Sequence, residues 1–150
     1  MADVLTPEQR HKNMSRIRSK DTKPEVWLRH RLFDEGYRYR KNVKNISGHP
    51  DIWMKKYNTA IFVHGCFWHR HAGCRYTSTP KSRIEFWTEK FQKNVDRDNR
   101  VKEDLETAGI KMLIVWECTI KQMIKSQEIE ETILREIGEF LLSNDLRKEL

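Results

Sequence analysis

The sequence predicts one α/β or α+β domain, and three observations lead there. Lys111–Cys118 (KMLIVWEC) is a near-continuous apolar run, the mark of a strand buried on both faces. Stretches on either side of it carry apolar residues at 3- and 4-residue spacing, as amphipathic helices do. The chain has 150 residues, enough for one domain with one core and tight for two.

Taken in order, residues 1–22 are polar and basic, with Met14 and Ile17 as the main apolar sites, and read as an arm or short helix lying on something else. Asp21 and Thr22 are capping candidates, and Pro24 suits a first helical turn. Leu28, Leu32 and Phe33 follow at helical spacing before Gly36, which predicts a helix over about 24–35. Residues 37–44 alternate aromatic and basic side chains, as a short strand does, and Ser47-Gly48-His49-Pro50 is a turn cluster. Asp51–Tyr57 and Thr59–His64 read as two strands of a hairpin. Residues 65–81 hold Gly65, Gly73 and Pro80 and cannot be one regular element. A long helix over about 82–107 is stopped by Gly109. Behind the apolar strand, Ile129, Ile133, Ile137, Phe140 and Leu141 predict one or two C-terminal helices over about 120–142. The organisation expected is an arm at 1–22 and a single domain at 23–150.

Charge points to a class of partner. Lys+Arg 29 against Asp+Glu 22 gives a net charge of +7. Residues 10–44 carry 12 basic and 4 acidic side chains, whereas residues 127–150 carry 3 basic and 7 acidic. A basic arm on a basic domain is the footprint expected for a polyanion, the alternative being a solvated basic surface. The longest apolar run, Met112–Trp116, is far short of the roughly 20 residues that span a membrane. No apolar leader follows the N-terminal methionine, so an intracellular, cytoplasmic location is expected. Three cysteines without a secretion signal argue against a disulfide framework and leave metal ligation or burial.

Chemistry concentrates in three places. If Tyr57-Asn58 is the loop of the hairpin, Asp51 stands opposite His64 on one face, a site for a hard metal and a general acid/base or else an edge salt bridge. Cys66, His69, His71 and Cys74 fall within nine residues, and Cys118 ends the apolar strand. Three thiolates and one of the two histidines would make a closed tetrahedral zinc site and leave the other histidine free. Between these ligand candidates, Phe67-Trp68 either stack on bases or pack back over the sheet. On the long helix, Ile84, Trp87, Phe91, Val95, Leu105 and Ala108 mark an apolar stripe with Asp98 in its middle. A carboxylate on a core-facing line is costly unless paired, and a histidine of the Cys/His loop is the natural partner, fixing its tautomer and raising its basicity.

Taken together, His49-Pro50-Asp51, Val63-His64-Gly65-Cys66-Phe67-Trp68-His69, Glu85-Phe86-Trp87, Lys93-Asn94-Val95, Arg97-Asp98 and Leu113–Cys118 resemble the very short patch repair (Vsr) DNA mismatch endonucleases, over roughly residues 12–120. The resemblance implies a restriction-endonuclease-like α/β core, a mixed central sheet flanked by helices, with a structural zinc site. It implies a catalytic set of Asp51, His64, His69, Asp98 and Glu25. Catalytic Mg²⁺ would sit on Asp51 and the main-chain carbonyl of Val63, where a threonine can occur in the family. Structural Zn²⁺ would sit on Cys66, His71, Cys74 and Cys118. Phe67, Trp68 and Trp87 would insert into the DNA stack, although the stripe reading places Trp87 toward the core.

The activity implied is Mg²⁺-dependent nicking of one DNA strand at a T:G mismatch left by deamination of 5-methylcytosine. Arg16, Arg18 and Lys20 would follow the DNA backbone, and a monomer suffices because one nick needs one active site. The competing reading is a non-catalytic, zinc-stabilised DNA-binding module. A zinc hydrolase is disfavoured, since three thiolates and a histidine leave no open position for water.

Overall fold

The computed structural model describes residues 21–150. Arg16, Arg18 and Lys20, with Met14 and Ile17, lie outside the described residues. Helix α1 spans Lys23–Asp34, capped by Thr22, whose Oγ1 accepts the Glu25 N–H at 3.4 Å. Pro24 sits in its first turn, where a missing N–H breaks no helical bond. Leu28 and Leu32, one turn apart, are fully buried, but Phe33 is 51% exposed and lies beneath the Arg38 guanidinium. The expectation that Phe33 shares their face is corrected: one residue beyond the i, i+4 pair the helix has turned away from the core.

A five-stranded sheet follows, in the order β1 (Arg40–Lys41), β2 (Ile52–Met54), β3 (Thr59–His64), β4 (Lys111–Trp116) and β5 (Arg147–Glu149). The pairs β1–β2 and β2–β3 are antiparallel, while β3–β4 and β4–β5 are parallel. Helix α2 (Ile84–Thr107) lies in the crossover between β3 and β4 that a parallel pair requires. Helices α3 (Glu117–Lys125) and α4 (Gln127–Leu142) complete the set. The sheet is therefore mixed and flanked by helices, as the α/β reading requires. No helix among the described residues is long and apolar enough to cross a membrane.

The hairpin departs from expectation. Its strands are joined by a 3₁₀ turn over Lys55–Tyr57 with Asn58 in the left-handed conformation, so Asp51–Tyr57 is not strand throughout. The register sets Ile52 opposite Ile61 and Met54 opposite Thr59. Continued by one residue, it sets Asp51 against Phe62, not His64. The slip is two residues, and because side chains alternate with period two, Asp51 and His64 still share a face.

Both faces of the sheet are covered. On one, Ile52, Ile61, Leu113 and Val115 pack against Leu28, Leu32, Ile120, Met123, Ile137 and Phe140 from α1, α3 and α4. On the other, Ala60, Phe62, Met112, Ile114 and Trp116 pack against Val101 and Leu105 of α2. All six residues of β4 are buried. Its first is a lysine because the Lys111 ammonium donates to the carbonyl oxygens of Phe140, Leu141 and Ser143, satisfying the C-terminal end of α4. Of the expected α2 stripe Phe91 and Leu105 are buried, joined by Val101, which was not on it, while its ends, Ile84 and Ala108, are exposed. Strand β4 stops at Trp116, and Cys118 lies in the first turn of α3 instead of ending the strand. Burial of Ile120 and Met123, three residues apart, selects the helix there. Strand β5 was not expected, since only Leu146 and Leu150 interrupt its polar segment. Backbone bonds of Leu150 with Ile114 and Trp116 fix it as a charged edge strand.

Candidate active site

A cleft of about 680 Å³ opens at the end of β3, with Glu25, Asp51, Val63, His64, His69 and Asp98 among its walls. Gly48 forms part of it at φ +82°, and a Cβ there would come within 2.7 Å of Val101 and 2.9 Å of Phe62. Only glycine fits both that backbone and that approach. The turn cluster thus lets the chain pass close over the sheet just before Asp51.

Two acids face the cleft. Asp51 Oδ2 accepts the Val63 backbone N–H at 2.7 Å. Burial, reinforced by the neighbouring Glu25 charge, pushes its pKa up to about 7. Glu25 is buried on α1, and that burial raises its pKa too, against the opposing pull of the Asp21 amide, which donates to Glu25 Oε2 at 2.8 Å. Two like charges held out of water call for a cation. Arg29, one helical turn on from Glu25, is the buried guanidinium beside them, but its Nη2 is committed to Asp21 Oδ1 at 2.7 Å. Its Nη1 lies 3.9 Å from Glu25 Oε2 and, among the described residues, has no hydrogen-bond partner. The donor set left facing the cleft is carboxylate oxygen, the chemistry a hard divalent ion prefers.

Beside the acids stands an imidazole pair. The His64 and His69 rings stack face to face, 3.8 Å between centroids and 6° from parallel. Asp98 Oδ2 lies 2.7 Å from His69 Nδ1. Burial alone would raise the Asp98 pKa, but the His69 hydrogen bond and the positive groups around it hold the acid below the usual carboxylate range. Asp98 therefore accepts, so in the neutral imidazole the proton belongs on His69 Nδ1 and the lone pair on Nε2. His64 is buried, and that burial, with His69 against its face, drives its pKa down to about 3. It is neutral at neutral pH.

The Cys/His loop lies on the adjoining side. The ligand atoms of Cys66, His71, Cys74 and Cys118 all fall within 4.8 Å of one another. Cys118 Sγ is 3.5 Å from His71 Nδ1. A tetrahedral ion with ligands at about 2.0–2.3 Å separates them by roughly 3.5–3.8 Å, so the donors fit a zinc-like metal. All three cysteines are free thiols. Burial pushes the Cys66 thiol up to about 12. His71, not His69, joins this group.

Phe67, Trp68 and Trp87 neither lie flat on the sheet nor stand free. They form one half-buried cluster with Phe91 and Phe86, with ring centroids 5.1–5.9 Å apart and mostly edge to face. The Arg70 guanidinium stacks 4.0 Å over Phe91 and donates to Ser78 and Thr79, so it ties the loop to the cluster. Asn94 on α2 donates to the Trp68 carbonyl.

Several contributors escaped the sequence reading. Arg29 was legible only as the i+4 partner of Glu25, and Asp21 only as a cap. Arg70 gave no signal, because its partners are brought together by the irregular loop. Lys44, Arg97 and Arg100 line the same cleft and put cations at its mouth. The alternation of Arg97, Asp98 and Arg100 was the available hint for the last two.

The chain matches the family profile described as DNA mismatch endonuclease Vsr over residues 2–75. A type II nicking enzyme of Neisseria meningitidis serogroup A is 45% identical over 137 residues, covering 91% of this chain and 97% of that enzyme. A type II nicking enzyme of Xanthomonas oryzae is 42% identical over 123 residues, 82% of this chain and 90% of its own length. The DNA mismatch endonuclease Vsr of Escherichia coli is 42% identical over 121 residues, 81% and 77% respectively.

Proposed function

The chain belongs to the DNA mismatch endonuclease Vsr family and is a strand-nicking DNA endonuclease, and from that premise we propose that it nicks one strand of a duplex at T:G mismatches, in a Mg²⁺-dependent hydrolysis. The observation that carries the reading is the meeting, in one cleft, of the Asp51 and Glu25 carboxyls with the His64–His69–Asp98 group.

Asp51 and the Val63 main-chain carbonyl would hold Mg²⁺, with Glu25 reaching it through water, and the ion supplies charge neutralisation at the scissile phosphate. The chain's own groups do the rest. His69 Nε2, the acceptor nitrogen in the neutral tautomer that Asp98 selects, takes a proton from the attacking water. The water oxygen forms a bond to phosphorus as the bond to the leaving oxygen breaks. His64, buried and neutral, keeps the His69 ring in plane by stacking and offers a hydrogen bond to the phosphate. Cys66, His71, Cys74 and Cys118 would hold structural Zn²⁺ and keep the loop after β3 in place.

A mispair differs little in charge from a Watson–Crick pair, so it is recognised by how easily it unstacks. Phe67, Trp68 and Trp87 form a partly exposed apolar prow suited to wedge beside such a pair, and their mutual packing keeps them from collapsing onto the sheet. Lys44, Arg97 and Arg100 at the cleft, with Arg16, Arg18 and Lys20 of the arm at residues 1–22, would grip phosphates and make affinity strongly salt-dependent. The domain at 23–150 then works as a monomer.

The test is cleavage of end-labelled duplexes carrying T:G, other mismatches, or T:A in a panel of flanking sequences, with Mg²⁺ and with EDTA. Nicking on the T strand of T:G duplexes, lost in EDTA, is the expected result. Equal cutting of T:A duplexes would refute the mismatch reading, and full activity in EDTA the metal reading.

A further inference from the structure

The two candidate ligand groups are joined by a continuous run of rings in contact, two of its steps stacked and one edge to face. The β3–β4 register sets His64 opposite Trp116. Two residues beyond the end of each of these strands, the Cys118 N–H donates to Cys66 Sγ at 3.4 Å. The Cys/His cluster therefore caps the same pair of strand ends from which His64 projects. Trp116 is the side chain between the two. The His71 ring lies flat on it, 4.0 Å between centroids and 4° from parallel. Trp116 in turn meets His64 edge to face at 5.3 Å. His64 stacks on His69 at 3.8 Å, and His69 holds Asp98 at 2.7 Å. Each ring leaves its neighbour little room to tilt, because aromatic faces this close are already at van der Waals contact.

Resting on the nuclease reading above, we propose that Trp116 is a positioning residue for strand cleavage: through His71 it transmits the placement of the Cys/His metal cluster to the His64–His69–Asp98 group. Trp116 is 7% exposed and would touch neither substrate nor catalytic ion. Its indole supplies a flat, rigid face that a flexible apolar side chain of similar burial does not. A metal gripping His71 fixes one end of the run, and the Asp98 carboxylate fixes the other. The imidazole that takes the proton is thus oriented from both sides.

Two substitutions and one exchange test this. His71→Cys keeps four metal ligands but removes the ring that stacks on Trp116. Trp116→Leu keeps apolar bulk without the flat face, and Trp116→Phe restores a ring. With metal content and melting measured for each, the expected result is a single-turnover nicking rate reduced about tenfold or more in Trp116→Leu and His71→Cys, largely recovered in Trp116→Phe. Duplex affinity in EDTA should not change. In ¹⁵N-histidine NMR spectra the His69 ring resonances should move in the same two variants. They should also move in the unmutated protein when Cd²⁺ replaces Zn²⁺, a readout that requires no variant to fold. Wild-type nicking rates in folded variants, or His69 resonances indifferent to the metal exchange, would overturn the proposal. Asp51→Ala serves as the control on the premise: if that variant still nicks, the reading of this cleft as the reaction site fails, whereas an inactive Asp51→Ala beside unaffected Trp116 variants defeats the positioning role alone.

Discussion

Two groups of ligand-capable side chains sit side by side at the ends of β3 and β4, and they differ in almost every physical respect. Cys66, His71, Cys74 and Cys118 pack their ligand atoms into a compact set of soft donors. His64, His69 and Asp98 are equally compact, but their donors are harder, and they line an open cleft shared with the Asp51 and Glu25 carboxyls. The first arrangement fills a coordination sphere and leaves nothing for a substrate to displace. The second sets a stacked imidazole pair beside the Asp51 and Glu25 carboxyls, open to the cleft. On the proposed reading, closure makes a staple and openness a reaction site, although the two share a strand pair.

The contrast is broken most severely at the open site. Asp51→Ala should lower nicking by on the order of 10³-fold or more while duplex affinity in EDTA persists, because the group removed is the one that would carry the ion. A gel assay of single-turnover cleavage beside a binding titration decides it, and retained cleavage would place the metal elsewhere. At the closed site the expected loss is in folding. Cys118→Ser should release the metal, lower the melting temperature by about 10 °C or more, and leave the loop from Gly65 to Pro80 sensitive to protease. An unchanged melt with no metal bound would show that the thiols are only buried.

A smaller effect tests the proton's place. Asp98→Asn preserves shape but removes the charge that keeps the His69 proton on Nδ1, so nicking should fall by roughly 10²-fold at unchanged affinity. The same variant should show altered His69 tautomer signals by NMR. The smallest effect sharpens the electrostatics. In metal-free protein Asp51 titrates near about 7, against 3.8 when unburied. Between those values the folded state holds a proton that the unfolded chain has lost, so this group makes stability fall as pH rises through that window. Urea unfolding of metal-free protein at a series of pH values should show a shallower fall for Asp51→Asn. An identical slope would mean the carboxyl is solvated.

How much of this was legible beforehand depended on whether the cause was local. The long α2 pattern exposed Asp98 as an anomaly, since one misplaced carboxylate in an apolar stripe needs a partner, and His69 is found at 2.7 Å. The cysteines and histidines were close enough in the chain to suggest a cluster, although spacing alone could not choose between His69 and His71. That choice is tertiary: His69 meets Asp98 and His71 meets Cys118 Sγ, with Arg70 between them in the left-handed conformation at φ +53°. The Asp51–His64 pairing was misread because a 3₁₀ turn replaced the two-residue loop. The Asp21–Arg29–Glu25 contacts and the run of rings through Trp116 left no periodic trace.

The sequence by itself determined the apolar strand, the helices that cover it and the inventory of acids, thiols and imidazoles, because helix and strand periodicity and donor chemistry are properties of neighbouring residues. Only the tertiary structure decided which of those groups meet. Strand register, the crossover of α2 and the burial that shifts Asp51 and His64 in opposite directions depend on residues tens of positions apart, and no local pattern encodes the distance between them.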